Sequence, residues 1–67
     1  MLKICFLKNR QVVHTIKAKW TINIGEIARY ADAAQPDYDA DDWAVVNEMD
    51  VAIFTKARWF KVQGSSF

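Results

Sequence analysis

The acidic segment DYDADDWAVVNE has the residue types and spacing that come closest to a chemical site. Asp37, Asp39 and Asp41 occupy the first, third and fifth positions of a calcium-binding loop, and Glu48 occupies its last position. Carboxylate oxygens in this order suit Ca²⁺. Asp42, however, stands where such a loop needs glycine for its sharp turn. A calcium site is therefore an alternative, and it competes with an ordinary solvated loop.

Other arrangements that could support catalysis are weaker. Cys5 and His14 fall on neighbouring predicted strands, but no third residue is evident that would orient the imidazole. One Cys and one His cannot complete a zinc site. A chain whose glycines are Gly25 and Gly64 has no glycine-rich loop for phosphate. The sequence therefore predicts a protein that is not an enzyme and needs no cofactor.

Two basic segments that contain tryptophan, KAKW and KARWFK, are candidates for binding nucleic acid. Bases stack on aromatic rings, and phosphates attract Lys and Arg, so single-stranded nucleic acid is an alternative ligand. The competing interpretation makes the tryptophans ordinary core or rim residues. The residues of this alternative are Lys17, Lys19, Trp20, Lys56, Arg58 and Trp59.

The distribution of charge is the most informative property of the chain. The net charge is +1, yet residues 31–55 contain seven acids and no Lys or Arg, whereas residues 1–30 contain six basic residues and one acid. Segregation of this kind is typical of recognition surfaces, although opposite charges can also neutralise each other in the fold. We expect an acidic surface that contacts a basic partner and consists of Asp37, Asp39, Asp41, Asp42, Glu48 and Asp50.

The composition predicts a single domain over residues 1–67. Hydrophobic residues make up 52% of the chain and charged residues 25%, as in an ordinary folded domain. One cysteine allows no internal disulfide and favours a reducing compartment. The apolar runs are too short for a membrane span or a signal peptide. We therefore expect a protein of the host cell cytoplasm that has no membrane partner.

The first half of the chain predicts a hairpin followed by a helix. Two β-rich runs flank Asn9 and Arg10, which can form a tight turn that places Cys5 opposite His14. The residues expected on the core face of the hairpin are Leu2, Ile4, Phe6 and Val13.

The predicted helix has signals at both ends. Asn23 can cap it, Glu26 can complete a capping box, and Ile22 and Ile27 can form a hydrophobic staple, while Pro36 ends the helix. The helix is expected within residues 22–35, with an apolar stripe of Ile24, Ile27, Ala28, Ala31 and Ala34.

The second half of the chain predicts three strands, WAVVN, VAIFT and WFKVQ, with a turn at NEMD. A helix over residues 41–50 is the alternative, but its amphipathicity is poor. Residues 63–67 are expected to form a flexible tail. The sequence thus predicts the α+β class: a small antiparallel sheet with one helix packed across one face, in the order ββαβββ.

The segment ADDWAVV, residues 40–46, resembles a short A-x-D-W-x-V pattern in some small phage proteins, which include inhibitors that sequester nucleotide signals of a bacterial defence system. In that pattern the Trp opens a strand. In general type the chain is also similar to phage-encoded anti-CRISPR proteins. The resemblance covers seven of 67 residues and carries no ligand residues. It implies an inhibitor from a phage or mobile element.

The leading hypothesis from the sequence is a non-enzymatic binding protein that inhibits a host nucleic-acid-handling complex through its acidic surface. Its expected partner is a host protein or ribonucleoprotein complex with a basic surface. The alternative is a small nucleic-acid-binding or regulatory protein that uses the basic tryptophan segments. Calcium binding over residues 37–48 is the second alternative.

Overall fold

Four strands form one antiparallel sheet in the order β2-β1-β3-β4, and a helix covers one of its faces. The computed structural model describes residues 1–64, with the side chains of residues 1–62. The strands are β1 (Leu2–Lys8), β2 (Gln11–Ala18), β3 (Asp42–Val46) and β4 (Ala52–Thr55). The helices are α1 (Ile24–Ala34), which continues into a 3₁₀ turn at Gln35–Tyr38, and α2 (Lys56–Gly64). This architecture confirms the predicted α+β class.

The hairpin turn forms where it was predicted. Asn9 and Arg10 have φ angles of 53° and 67°, the left-handed values that a two-residue hairpin turn requires. Asn adopts this conformation readily, whereas Arg does so at some cost. The backbone N–H of Asn9 donates to Oδ2 of Asp41 at 3.2 Å, which ties the turn to the segment that precedes β3.

A bulge changes the register of the hairpin immediately after this turn. The register shifts between Phe6 and Leu7, so that His14 rather than Val13 lies opposite Phe6. Val13 is therefore 50% exposed, and its predicted place in the core is wrong. The predicted pairing of Cys5 with His14 is also wrong, and the two side chains lie on opposite faces of the sheet. No thiol–imidazole pair is formed.

Helix α1 begins and packs largely as predicted. Oδ1 of Asn23 accepts a hydrogen bond from the backbone N–H of Glu26 at 3.1 Å, which confirms the cap. The backbone N–H of Asn23 donates to Thr21 instead of to Glu26, so the capping box is half formed. The predicted staple is wrong because Ile22 is 88% exposed. The predicted stripe is confirmed: Ile27, Ala28, Ala31 and Ala34 are buried and Ile24 is half-buried.

The core lies between α1 and the two central strands. Ile4 and Phe6 of β1 pair with Val45 and Trp43 of β3, and all four side chains are fully buried. The alanines of α1 let the helix lie close to this surface. The indole N–H of Trp43 donates to Oδ1 of Asp32 on α1 at 3.4 Å. Burial alternates from Asp42 to Val45, as in a strand with one face on the core, and Val46 is buried as well.

The strand predicted for WFKVQ is wrong, because residues 56–64 form α2. Oγ1 of Thr55 accepts a hydrogen bond from the backbone N–H of Arg58 at 3.3 Å and so caps the new helix. Trp59 packs half-buried against the core, whereas Phe60 and Val62 are exposed. A short helix needs only about one buried residue per turn, which Trp59 supplies. A strand would need a buried apolar residue at every second position, which this segment lacks.

Helix α2 also ends the described part of the chain. Its last two positions, Gln63 and Gly64, fall at the start of the predicted flexible tail. The rest of that predicted tail, residues 65–67, lies outside the described residues.

Candidate functional site

The structure separates the predicted acidic surface into two groups at the two ends of β3. The first group precedes or opens the strand, and the second lies in the turn that follows it. A strand of this length places its ends about 15 Å apart, so the six carboxylates do not share one continuous patch. The first group is Asp37, Asp39, Asp41 and Asp42, and the second is Glu48 and Asp50.

Lysines of β1 pair with carboxylates in both groups. Nζ of Lys8 lies 2.6 Å from Oδ2 of Asp39, and Nζ of Lys3 lies 2.8 Å from Oδ1 of Asp50. Exposed ion pairs of this kind contribute little to stability, because water and salt screen them. They nevertheless reduce the negative potential that either group presents to a partner.

The pKa of Lys3 offers a direct test of its ion pair with Asp50. The Asp50 carboxylate accepts a hydrogen bond from Lys3 and raises the pKa of its ammonium group. Because the folded pKa exceeds the unfolded one, the pair stabilises the fold below the ordinary lysine pKa, and this contribution is lost as the pH rises through the raised value. We expect Asp50→Asn to lower the pKa of Lys3 in an NMR titration. Asp39→Asn should leave that pKa unchanged.

The segment with calcium-loop spacing does not form a calcium loop. Asp37 lies in the 3₁₀ turn, and Glu48 lies beyond β3, where the amino group of Met1 pairs with it. Oδ2 of Asp41 already accepts a hydrogen bond from the backbone of Asn9. Among the residues that the structure describes, no three His, Cys, Asp or Glu side chains are placed to hold a metal ion. The geometry therefore gives no support to the calcium hypothesis.

The fold brings the two predicted basic tryptophan segments to the same helix. The ring of Trp20, at the end of the hairpin, packs on Tyr30 of α1 with 5.0 Å between centroids. Trp20 is 51% exposed and Tyr30 is 43% exposed. Tyr30 and Trp59 both line an open groove of about 700 Å³ on the surface of α1. We call it the α1 groove; its lining is Asn23, Gly25, Glu26, Arg29, Tyr30, Ala33 and Trp59.

The two ends of the α1 groove differ in how firmly they are held. Trp59 is half-buried and meets the ring of Phe54 edge-on, with 6.4 Å between centroids. Gly25 and Ala33, two small residues, also line the groove, as does the exposed ring of Tyr30. The lining therefore contains one half-buried and one exposed aromatic residue. A flat, ring-shaped ligand can stack on an exposed aromatic ring.

One cation lines this groove, and two others are next in sequence to Trp20 and Trp59. Arg29 lines it, Lys19 precedes Trp20 in the chain, and Arg58 lies on α2 with its guanidinium 6.0 Å from the ring centroid of Phe54. None of these three cations takes part in an ion pair with another of the described residues. Arg29 thus lies beside the accessible ring of Tyr30 in the groove, whose lining also includes the acid Glu26.

Two of the predicted basic residues lie elsewhere. Nζ of Lys56 donates to Oε1 of Gln35 at 2.7 Å and to the carbonyl of Asp41 at 3.3 Å, so this lysine joins α2 to the 3₁₀ turn. Lys17 lies opposite Lys3 in the register of the hairpin, on the sheet face that α1 does not cover. Arg29 and Tyr30 were not among the residues predicted from the sequence, although an aromatic residue outside the apolar stripe of α1 was a usable signal.

Comparison of the chain with protein-family models, with curated proteins and with solved structures gives no match. Within residues 1–64, no helix combines the length and the apolar character needed to cross a membrane. The function is therefore inferred from the surfaces of the fold itself.

Proposed function

We propose that this protein is a non-enzymatic binding protein that holds single-stranded nucleic acid along the α1 groove. The observation that carries the proposal is the convergence of three aromatic residues and an arginine from separate parts of the chain. Trp20 packs on Tyr30, and Tyr30 shares the groove with Arg29 and Trp59. These are the side-chain types that nucleobases and phosphates contact in single-strand binding.

Stacking supplies the main attraction in this proposal. Every base has a π face, and stacking on an aromatic side chain contributes ~1–3 kcal/mol per base with little dependence on sequence. The exposed faces of Trp20 and Tyr30 offer such a surface outside the core. Arg29 adds a planar cation that can stack on a base or bind a phosphate with two donors.

Electrostatics support the same surface, although the net charge of +1 is small. Several carboxylates are engaged by cations of the first strand, as the pairs of Asp39 with Lys8 and of Asp50 with Lys3 illustrate. Arg29, which shares the groove lining with Glu26, forms no ion pair with a described residue, and neither do Lys19 and Arg58. A local basic surface can therefore attract phosphates even in a nearly neutral protein.

A second candidate function rests on the acidic group that precedes β3. Four carboxylates gather at one end of the sheet, and the side chain of Asp39 is 89% exposed despite its ion pair. Such a surface suits a basic host protein or ribonucleoprotein complex, as proposed for an inhibitor of the anti-CRISPR type. The residues of this surface are Asp37, Asp39, Asp41 and Asp42.

The test is the affinity for a fluorescently labelled oligothymidine, measured by anisotropy at increasing salt. We expect the logarithm of the affinity to fall linearly with the logarithm of the salt concentration, as counterions are released. Arg29→Ala/Arg58→Ala should weaken binding and reduce the slope by about 1.4, since each phosphate contact on a single strand contributes about 0.7. The matched control, Asp39→Asn/Asp41→Asn/Asp42→Asn, should bind at least as well as the unaltered protein.

The same variants separate the two candidates. If the unaltered protein ignores the oligonucleotide at low salt, the nucleic-acid proposal is wrong. If the unaltered protein ignores the oligonucleotide but captures a protein from host lysate, and the triple aspartate variant captures none, the acidic surface is the functional one. Melting temperatures within a few degrees of each other establish that all three proteins are folded.

A further inference from the structure

The sheet face opposite α1, which we call the open face, carries apolar residues between its charged and polar ones. In an antiparallel sheet with one face in water, the residues that point away from the core are normally polar. Here the outward positions of β1 and β3 break that alternation. The apolar residues on the open face are Cys5, Leu7, Val12, Ala44, Ala52 and the buried Val46, and the polar ones are Lys3, Thr15, Lys17, Asp42 and Thr55.

Both helices pack on the other side of the sheet. Phe54 pairs with Val45 of the core face and contacts Trp59 of α2, so α2 lies on the same side as α1. Val12 on the open face is 55% exposed. Both helices therefore leave this face to solvent, except at Val46, which is only 7% exposed.

Opposite charges stand at diagonally opposite corners of the open face. Lys17 of β2 pairs with Lys3 of β1, and Asp42 of β3 pairs with Leu7 of β1. Strand β1 lies between β2 and β3. The diagonal from Lys17 to Asp42 therefore crosses β1 midway between Lys3 and Leu7, at Cys5. Both charged residues are exposed, and neither forms an ion pair with any described residue.

We propose that the open face binds a second copy of this chain about a two-fold axis that passes beside Cys5. An axis that lies between the two sheets, perpendicular to the diagonal, places Lys17 of each copy against Asp42 of the other. It also places the apolar residues of the two open faces in contact, with the sheets ~10 Å apart. A two-fold interface requires a surface that is complementary to itself, and this arrangement of charges meets that condition.

Charge complementarity is the reason to choose a second copy over another partner. A purely basic partner would leave Lys17 facing a like charge, and a purely acidic partner would do the same to Asp42. The α1 groove lies on the far side of the sheet and stays accessible in the dimer. The dimer proposal therefore stands independently of the proposed ligand.

Sedimentation velocity over a range of protein concentrations tests the dimer, and the single cysteine provides a second readout. We expect the mass to double as the concentration rises, and the reaction of Cys5 with a thiol reagent to slow over the same range. Lys17→Asp alone and Asp42→Lys alone should each leave a monomer. Lys17→Asp/Asp42→Lys should restore the dimer, and a mixture of the two single variants should form heterodimers.

Val12→Lys is a further variant that needs no charge swap. Val12 is half exposed, so a lysine there should keep the melting temperature while abolishing the dimer. A protein that stays monomeric at every concentration, with a constant rate of Cys5 modification, would refute the proposal. A dimer that survives both charge reversals and Val12→Lys would place the interface elsewhere and refute it equally.

Discussion

Replacing Trp43 with alanine should lower the free energy of unfolding by about 3–5 kcal/mol. Trp43 is fully buried and is the largest of the fully buried side chains. It pairs with Phe6 across the two central strands, and its ring lies 6.5 Å from that of Phe54. A domain of this length has a total stability of roughly 3–10 kcal/mol. The substitution should therefore remove most of the stability of the fold.

Urea unfolding followed by circular dichroism measures this loss, since the other tryptophans complicate a fluorescence signal. Trp43→Phe is the control: it keeps most of the apolar contact and loses the hydrogen bond from the indole to Asp32. We expect it to cost much less than the alanine variant. A loss below about 1 kcal/mol for Trp43→Ala would mean that the core does not depend on this residue.

The second large effect concerns binding. Trp20→Ala/Tyr30→Ala should weaken oligothymidine binding by about 2 kcal/mol or more, because two stacking surfaces at ~1–3 kcal/mol each are removed. That loss corresponds to roughly a thirtyfold rise in the dissociation constant. Both rings are about half exposed and lie outside the core. The melting temperature should therefore change little.

Two controls make this result specific to stacking. Trp20→Phe/Tyr30→Phe keeps both rings and should retain most of the affinity. Ile22→Ala removes a side chain that is 88% exposed and does not line the α1 groove, so it should have no effect. Equal affinity of the double alanine variant and the unaltered protein would show that these rings do not contact the ligand.

The parts of the fold that could be predicted depend on residues close together in sequence. Asn23 caps a helix whose first turn contains the donor to its side chain, the backbone N–H of Glu26. Asn9 lies in the hairpin turn that its own left-handed conformation allows. The position of α2 could not be predicted from neighbouring residues alone. Thr55 is a cap signal, but aromatic residues in the same segment favoured a strand. Packing against the core decides that Trp59, and not its neighbour Phe60, is half-buried there.

The candidate site was harder to predict because its contacts join distant parts of the chain. The ion pairs of Lys3 with Asp50 and of Lys8 with Asp39 span 47 and 31 residues. The block of acids looked continuous in the sequence, but the pairing of β3 with β1 divides it. The meeting of Trp20 with Tyr30 likewise depends on how the end of β2 approaches α1.

The central position of β1 has a consequence for how the chain folds. Its neighbour β2 follows after a two-residue turn, and such hairpins close within ~1–10 μs. Its other neighbour, β3, comes roughly forty residues later, so this pairing must overcome the entropy of closing a long loop. Until then, one edge of β1 exposes unpaired peptide groups beside apolar side chains. During synthesis and refolding, self-association at that bare edge competes with completion of the sheet.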